Sequence, residues 1–137
     1  DMLENHQSTS PLADVRPVVG VEDVRAMVAT VQDVYVSPAV KEYTVNIGRA
    51  TREHPYLRLG ASPRALLQLL RAAKAAAALD GRDFVLPDDI AAVSEAVLSH
   101  RLMLDRKAVT TGEDAPGIVA SILAKVPVNG ESRRPAV

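Results

Sequence analysis

The sequence predicts an all-α fold, a small bundle of about four to five helices, on three observations. Apolar residues recur at helical spacing in several segments. Almost no segment alternates apolar and polar residues as a half-buried strand would. Ser-Pro pairs at 37–38 and 62–63 stand at the heads of two of the periodic segments. Serine can cap orphan backbone N–H groups, and proline at the first helical position gives up a donor that the helix does not use.

Residues 1–20, with Pro11 and Pro17 among polar neighbours, read as an extended connector. Val24, Met27, Val28 and Val31 then form one stripe of a first helix over about 21–33. Ser37-Pro38 opens a second helix over about 38–53, with Val40, Tyr43, Ile47 and Ala50 on one face and a stop before Pro55. Ser62-Pro63 opens a third, where Leu66, Leu67, Leu69, Leu70 and Ala73 lead into an alanine-rich run to Leu79. Apolar surface this broad predicts the central, most buried helix, ended by Gly81. Pro87 with Asp88 and Asp89 opens a fourth, since carboxylates in a first turn complement the helix dipole, and Ile90, Val93, Val97 and Leu98 face the core. Leu102, Met103 and Leu104 are expected to cross the bundle as a short extended piece. A polar stretch runs to Asp114, and a last helix from Pro116 to about Lys125 turns Ile118, Val119, Ile122 and Leu123 inward. The helical domain is expected over 21–127, with a frayed tail at 128–137.

A chain of 137 residues suits one hydrophobic core. Sixteen basic residues against seventeen acidic leave no positive balance to attract nucleic acid, so no nucleic-acid partner is expected. No apolar run approaches the roughly 18 residues of a spanning helix, so no membrane insertion is expected. The absence of cysteine excludes disulfides and thiolate chemistry and suits a cytoplasmic location. His6, His54 and His100 do not fall at zinc-ligand spacing, and no metal site is expected. No Gly-x-x-x-x-Gly-Lys-Ser/Thr loop occurs to cradle phosphates, and no strand-borne acidic pair to hold magnesium is recognisable. By itself the chain is expected to be no enzyme and to hold no catalytic residue.

The most informative local feature is Gly60-Ala61-Ser62-Pro63-Arg64. Arg64 falls in the first turn of a helix, where the positive end of the dipole disfavours a cation. Free N–H groups at such a terminus suit anions, and the planar fork of an arginine beside them completes a site for phosphate oxygens. An arginine that merely follows a Ser-Pro cap is the plainer reading of the same residues.

The surrounding string extends the pattern. Val36-Ser37-Pro38-Ala39-Val40, Arg49-Ala50-Thr51-Arg52-Glu53-His54-Pro55 and Leu59 to Ala65 are followed by Ala78 to Val85, Pro87-Asp88-Asp89-Ile90 and His100-Arg101-Leu102. In order and spacing this set closely resembles the C-terminal lid of MoxR-family AAA+ ATPases, over about residues 12–104. The terminal Ile122 to Val128 also looks like that family's end. Leu86 departs from the pattern, since a threonine or serine cap is usual there.

The resemblance implies that Arg64 is the sensor-2 residue, reaching from a mobile lid to the γ-phosphate of ATP. Gly60, Ala61 and Ser62 would keep the chain close to the nucleotide, and Tyr43 and Ile47 would lie near the adenine, although core packing suits both as well. Arg49 and Arg52, on one helix face, read as solvated, and His54 reads as a helix-end residue. The opening at Asp1 together with the missing phosphate loop points to an N-terminal ATPase domain that precedes this chain. For that parent, the resemblance implies ATP and magnesium as cofactors and a homo-oligomeric ring with neighbouring subunits. It further implies a chaperone role in protein maturation or complex assembly, often beside von Willebrand factor A domain proteins. Two other classes compete: a free-standing helical interaction module, separated from the lid only by the Ser-Pro-Arg context, and a histone-like DNA-binding module, suggested by Pro-Asp-Asp-Ile after a long helix but opposed by the near-neutral charge.

Overall fold

Side-chain caps make several of the helix starts. A computed structural model describes residues 15–128. The predicted connector and tail therefore lie outside the described residues except for Val15 to Gly20, which carry no helix, and Val128. After these come α1 (Val21–Asp33), α2 (Pro38–Glu53), β1 (Leu57–Leu59), α3 (Pro63–Leu79), α4 (Pro87–Leu98), a 3-10 turn (Ser99–Arg101), β2 (Met103–Leu104), α5 (Arg106–Thr111) and α6 (Ala115–Lys125). Ser37 accepts from the Val40 N–H at 3.2 Å, Ser62 from Ala65 at 3.2 Å and Asp114 from Gly117 at 2.8 Å.

Helix α3 is the spine. It packs most extensively on α4 and also touches α1 and α2, while α6 closes the far side against α2 and α4. Ala65, Leu66, Leu69, Ala73 and Ala77 are its buried residues, and they meet Val40, Tyr43 and Ile47 of α2, Ile90 and Leu98 of α4, and Ile118, Val119 and Ile122 of α6 in one core. Full burial of each large aliphatic side chain contributes about 1.5–3 kcal/mol, so this cluster supplies the main driving force for folding. Gly48 lets α2 and α3 come close: a Cβ there would stand 2.5 Å from Leu66 Cδ1.

Three features differ from the sequence reading. Helix α1 has the predicted bounds, but none of its residues is buried, so its valine and methionine stripe does not enter the core. Leu67 and Leu79 of α3 are exposed, which leaves the spine buried along one broad face rather than all round. The polar stretch before Asp114 contains the six-residue α5, capped by Asp105 through the Lys107 N–H and ended by Gly112 at φ +76°. Polar composition hid that helix, because only Ala108 of it is buried.

The expected extended piece at 102–104 becomes β2, paired antiparallel with β1 in a two-stranded ribbon that matches Leu57 with Leu104 and Leu59 with Met103. A parallel bridge joins Tyr35 to Phe84, with the Tyr35 N–H donating to Asp83 O at 2.7 Å and the Val85 N–H to Tyr35 O at 2.9 Å.

The far end of α3 is fixed by charge. Gly81, at φ +73°, ends the helix, and Arg82 then places both terminal nitrogens 2.7 Å from the two oxygens of Asp89 while also reaching Asp80 and the Phe84 carbonyl. Asp89 further accepts from the Leu86 N–H at 2.7 Å, the return bond of a capping box, while leucine at the N-cap offers no side-chain oxygen to the first turn. Burial acts to raise the Asp89 pKa, but the bonds from Arg82 and Leu86 outweigh it and hold the carboxyl below the ordinary aspartate range. Asp89, from the Pro-Asp-Asp-Ile string that suggested a histone-like module, thus clamps the start of α4 to the turn that ends α3.

A carboxyl depressed in the folded state stabilises fully above its unfolded pKa, near pH ~3.9, and loses that contribution as pH falls through the folded value. Asp89→Asn should therefore lower the urea-unfolding free energy at neutral pH by about 2–3 kcal/mol. Its deficit relative to the unmodified chain should shrink as the pH is taken below ~3.9. A deficit that stays constant into strong acid would contradict a charged clamp.

Candidate functional site

The segment before α3 is held from three directions. Upstream, β1 is tied to β2, and the Asp105 N–H extends the ribbon by donating to Tyr56 O at 2.8 Å. Gly60 lies directly on the end of α2, where an added Cβ would stand 2.6 Å from Arg52 N and 2.7 Å from Thr51 C and O. Those are backbone atoms, so no side-chain rotation relieves the clash, and only glycine fits. The next residue, Ala61, donates its buried N–H to Thr51 Oγ1 at 2.9 Å, and that hydroxyl donates in turn to Gly48 O at 2.7 Å.

Thr51 is wholly buried and joins the end of α2 to the head of α3. Ser62 then caps α3, Pro63 begins it, and Arg64 emerges into solvent one residue later. Among the described residues Arg64 forms no ion pair, since the ion pairs present use Arg25 and Arg82. The result is an exposed planar donor at a helix start whose backbone position is fixed by its surroundings. That donor set suits a phosphate group.

The sequence-predicted residues divide accordingly. Gly60, Ala61, Ser62 and Arg64 are contiguous at this terminus. The close approach that Gly60 permits is to the backbone of α2, however, and Ala61 is 1% exposed. Ile47 is 0% exposed and Tyr43 4%, both within the core cluster, so Ile47 offers no surface to an adenine ring. Burial, with Asp88 as the lesser cause, raises the Tyr43 pKa and keeps the phenol neutral, as expected of a core residue. Arg49 and Arg52 are exposed, and Arg52 Nε returns to Gly48 O at 3.1 Å. His54 caps the end of α2, its Nδ1 accepting from the Tyr56 N–H at 3.3 Å. Thr51, within the Arg49 to Pro55 string, is a functional residue that the sequence motifs leave without a role. Its signal is the spacing of four from Ile47, which puts a hydroxyl on a core-facing position where it must find a partner.

Residues 49–122 match the AAA lid domain family. The chain belongs to the lid domains of the MoxR family. It is 39% identical over 136 residues to the uncharacterized protein YeaC of Bacillus subtilis, covering 98% of this chain and 42% of that protein. It is 30% identical to the protein MoxR of Paracoccus denitrificans, covering 90% of this chain and 41% of that one. Chaperone MoxR1 of Mycobacterium tuberculosis is 38% identical over 94 residues, 62% of this chain and 25% of that protein. The crystal structure of a candidate ATPase from Cytophaga hutchinsonii superposes with a TM-score of 0.81 at 31% identity, over 93% of this chain and 41% of that one. The lid thus spans about two fifths of the length of the first two relatives.

The seam between α2 and α3 should be measurable in the lid alone. Thr51→Val keeps the shape but leaves the Ala61 N–H buried without a partner, and urea unfolding should show a loss of about 1–3 kcal/mol. Gly60→Ala should cost at least as much and shift the amide resonances of residues 60–64, because the new methyl meets backbone. Unchanged unfolding midpoints in both variants would refute the seam.

Proposed function

We propose that this lid senses bound nucleotide for a larger MoxR-type ATPase, with Arg64 reaching the γ-phosphate of ATP held by another domain of the same polypeptide. The observation that carries the reading is the exposed, unpaired Arg64 at the capped head of α3, set there by Gly60, Thr51 and Ala61. A guanidinium aimed at phosphate oxygens neutralises charge that builds during phosphoryl transfer. Because it stands on the rigid spine of the lid, contact with the phosphate also biases the angle of the whole bundle.

In this reading catalysis belongs to the nucleotide-binding domain, where ATP and magnesium are held, and the lid couples hydrolysis to movement between domains and between neighbouring subunits of a ring. A chaperone-like role in protein maturation or complex assembly, beside partners such as von Willebrand factor A domain proteins, is the corresponding cellular function. The name of the Mycobacterium tuberculosis relative, chaperone MoxR1, supports it. Among the described residues no helix is long and apolar enough to cross a membrane.

In the parent ATPase, Arg64→Ala should slow ATP hydrolysis on the order of a hundredfold, with no loss of stability in urea, because the side chain is exposed and its removal relieves a conflict with the helix dipole. Arg64→Lys keeps the charge without the planar fork and should recover only part of the rate. Hydrolysis at the unmodified rate and unchanged nucleotide affinity in both variants would remove the sensing role.

A further inference from the structure

Helix α1 has thirteen residues and buries none of them. A helix of that length is marginal in water unless tertiary packing supports it, and here, among the described residues, its hydrogen-bonded ties to the rest of the bundle stand at its C-terminal end. Lys74 Nζ donates to Gln32 O at 2.7 Å, and the Tyr35 bridge follows directly after. Further along α1, Met27 and Val28 keep 54% and 51% of their surface exposed, and Val15, Val18 and Val19 before the helix are exposed as well. Met27, Val28 and Val31 face Leu67 and Leu70 of α3 across an open groove of about 1140 Å³.

Charge and position describe what fills it. The charged side chains lining the groove are the cations Lys41, Arg71 and Lys74 against the single carboxylate of Asp33, a net positive balance. Among the described residues none of the three is ion-paired, and only Lys74 has a partner, the Gln32 carbonyl. An occupant with apolar side chains flanked by carboxylates complements this surface. Arg64, Leu67 and Arg71 follow at intervals of three and four along α3, so the groove continues the face that carries Arg64.

We propose that the groove between α1 and α3 seats an apolar, carboxylate-flanked ridge of the nucleotide-binding domain in the same polypeptide. This rests on the function proposed for Arg64, since it takes both ends of one helix face to address the same domain. Helix α3 then links the nucleotide contact to the domain seat through a single rigid element. Helix α1, which lies along α3 but buries no residue in the lid alone, gains its missing packing from the seat.

The chain has no cysteine, so single reporters can be placed cleanly. Met27→Cys and Leu67→Cys are alkylated with iodoacetamide in the 137-residue chain, in the parent kept dilute enough to be monomeric, and in the assembled parent. Each site is quantified by peptide mass spectrometry, with the exposed Glu95→Cys as control. Both groove sites should react at least tenfold more slowly in the monomeric parent than in the lid, Glu95→Cys should not change, and Lys41→Glu with Arg71→Glu should restore most of the rate. Equal rates in lid and parent, or equal slowing of the control, would overturn the proposal. So would slowing that begins only with assembly, which would make a neighbouring copy the occupant. Reporters already slow in the lid that speed up when residues 1–14 are removed would make that segment the occupant and overturn it too. The readout uses no hydrolysis, so protection with a rate indifferent to Arg64 removes the sensing role alone, and a rate that depends on Arg64 without protection removes the seat alone.

Discussion

The buried bond between Thr51 Oγ1 and the Ala61 N–H is the constraint on which the candidate site depends. It ties the end of α2 to the segment that leads into α3, where the two backbones nearly touch, with Gly60 against Thr51 and Arg52. A side-chain hydroxyl can satisfy a loop N–H there because its own proton goes to Gly48 O, which leaves its oxygen to accept; Thr51 is fully enclosed, and a buried donor or acceptor without a partner carries its whole desolvation cost. An arginine on a loop would sample many positions. This one leaves a helix whose first turn is capped and whose approach is tied to another helix, so the position of its Cα is a property of the core.

The other end of α3 is fixed by different means. Arg82 and Asp89 exchange two bonds at 2.7 Å on a carboxyl that is itself mostly buried. Hydrogen bonds to Asp89 first, and then to Asp80, raise the Arg82 pKa and keep its charge permanent. With both ends held, the proposed contact at Arg64 would move the bundle as a unit and not bend the helix. That rigidity is what a lid requires if it is to report an event at one end to a domain seated along its side.

Much of this was legible in the sequence, and the limits have physical causes. Ser37, Ser62 and Gly81 marked helix ends through chemistry that acts within a few residues, so those boundaries could be read locally. The head of α3 was legible for the same reason, while the role proposed for Arg64 comes from the resemblance of the ordered motifs around it. Contacts across the fold were not. Nothing near Leu57 announces its partner Leu104, and the ribbon is too short to leave an alternating pattern. Gly60 signals a close approach without naming what is approached, and the structure sets it against the backbone of α2. Periodicity showed that Met27, Val28 and Leu67 form apolar stripes, yet it could not show that these stripes face a groove and not the core, because apolar character is the same whichever surface covers it.

The central claim is that the seam exists to present Arg64, and a double-mutant cycle on ATP hydrolysis in the parent tests it most directly. If presentation is its role, Thr51→Val slows hydrolysis when Arg64 is present and adds nothing once Arg64 is alanine, so the two effects are strongly non-additive. Independent slowing by the two substitutions, or a Thr51→Val enzyme that is less stable yet hydrolyses at the unmodified rate, would contradict the account.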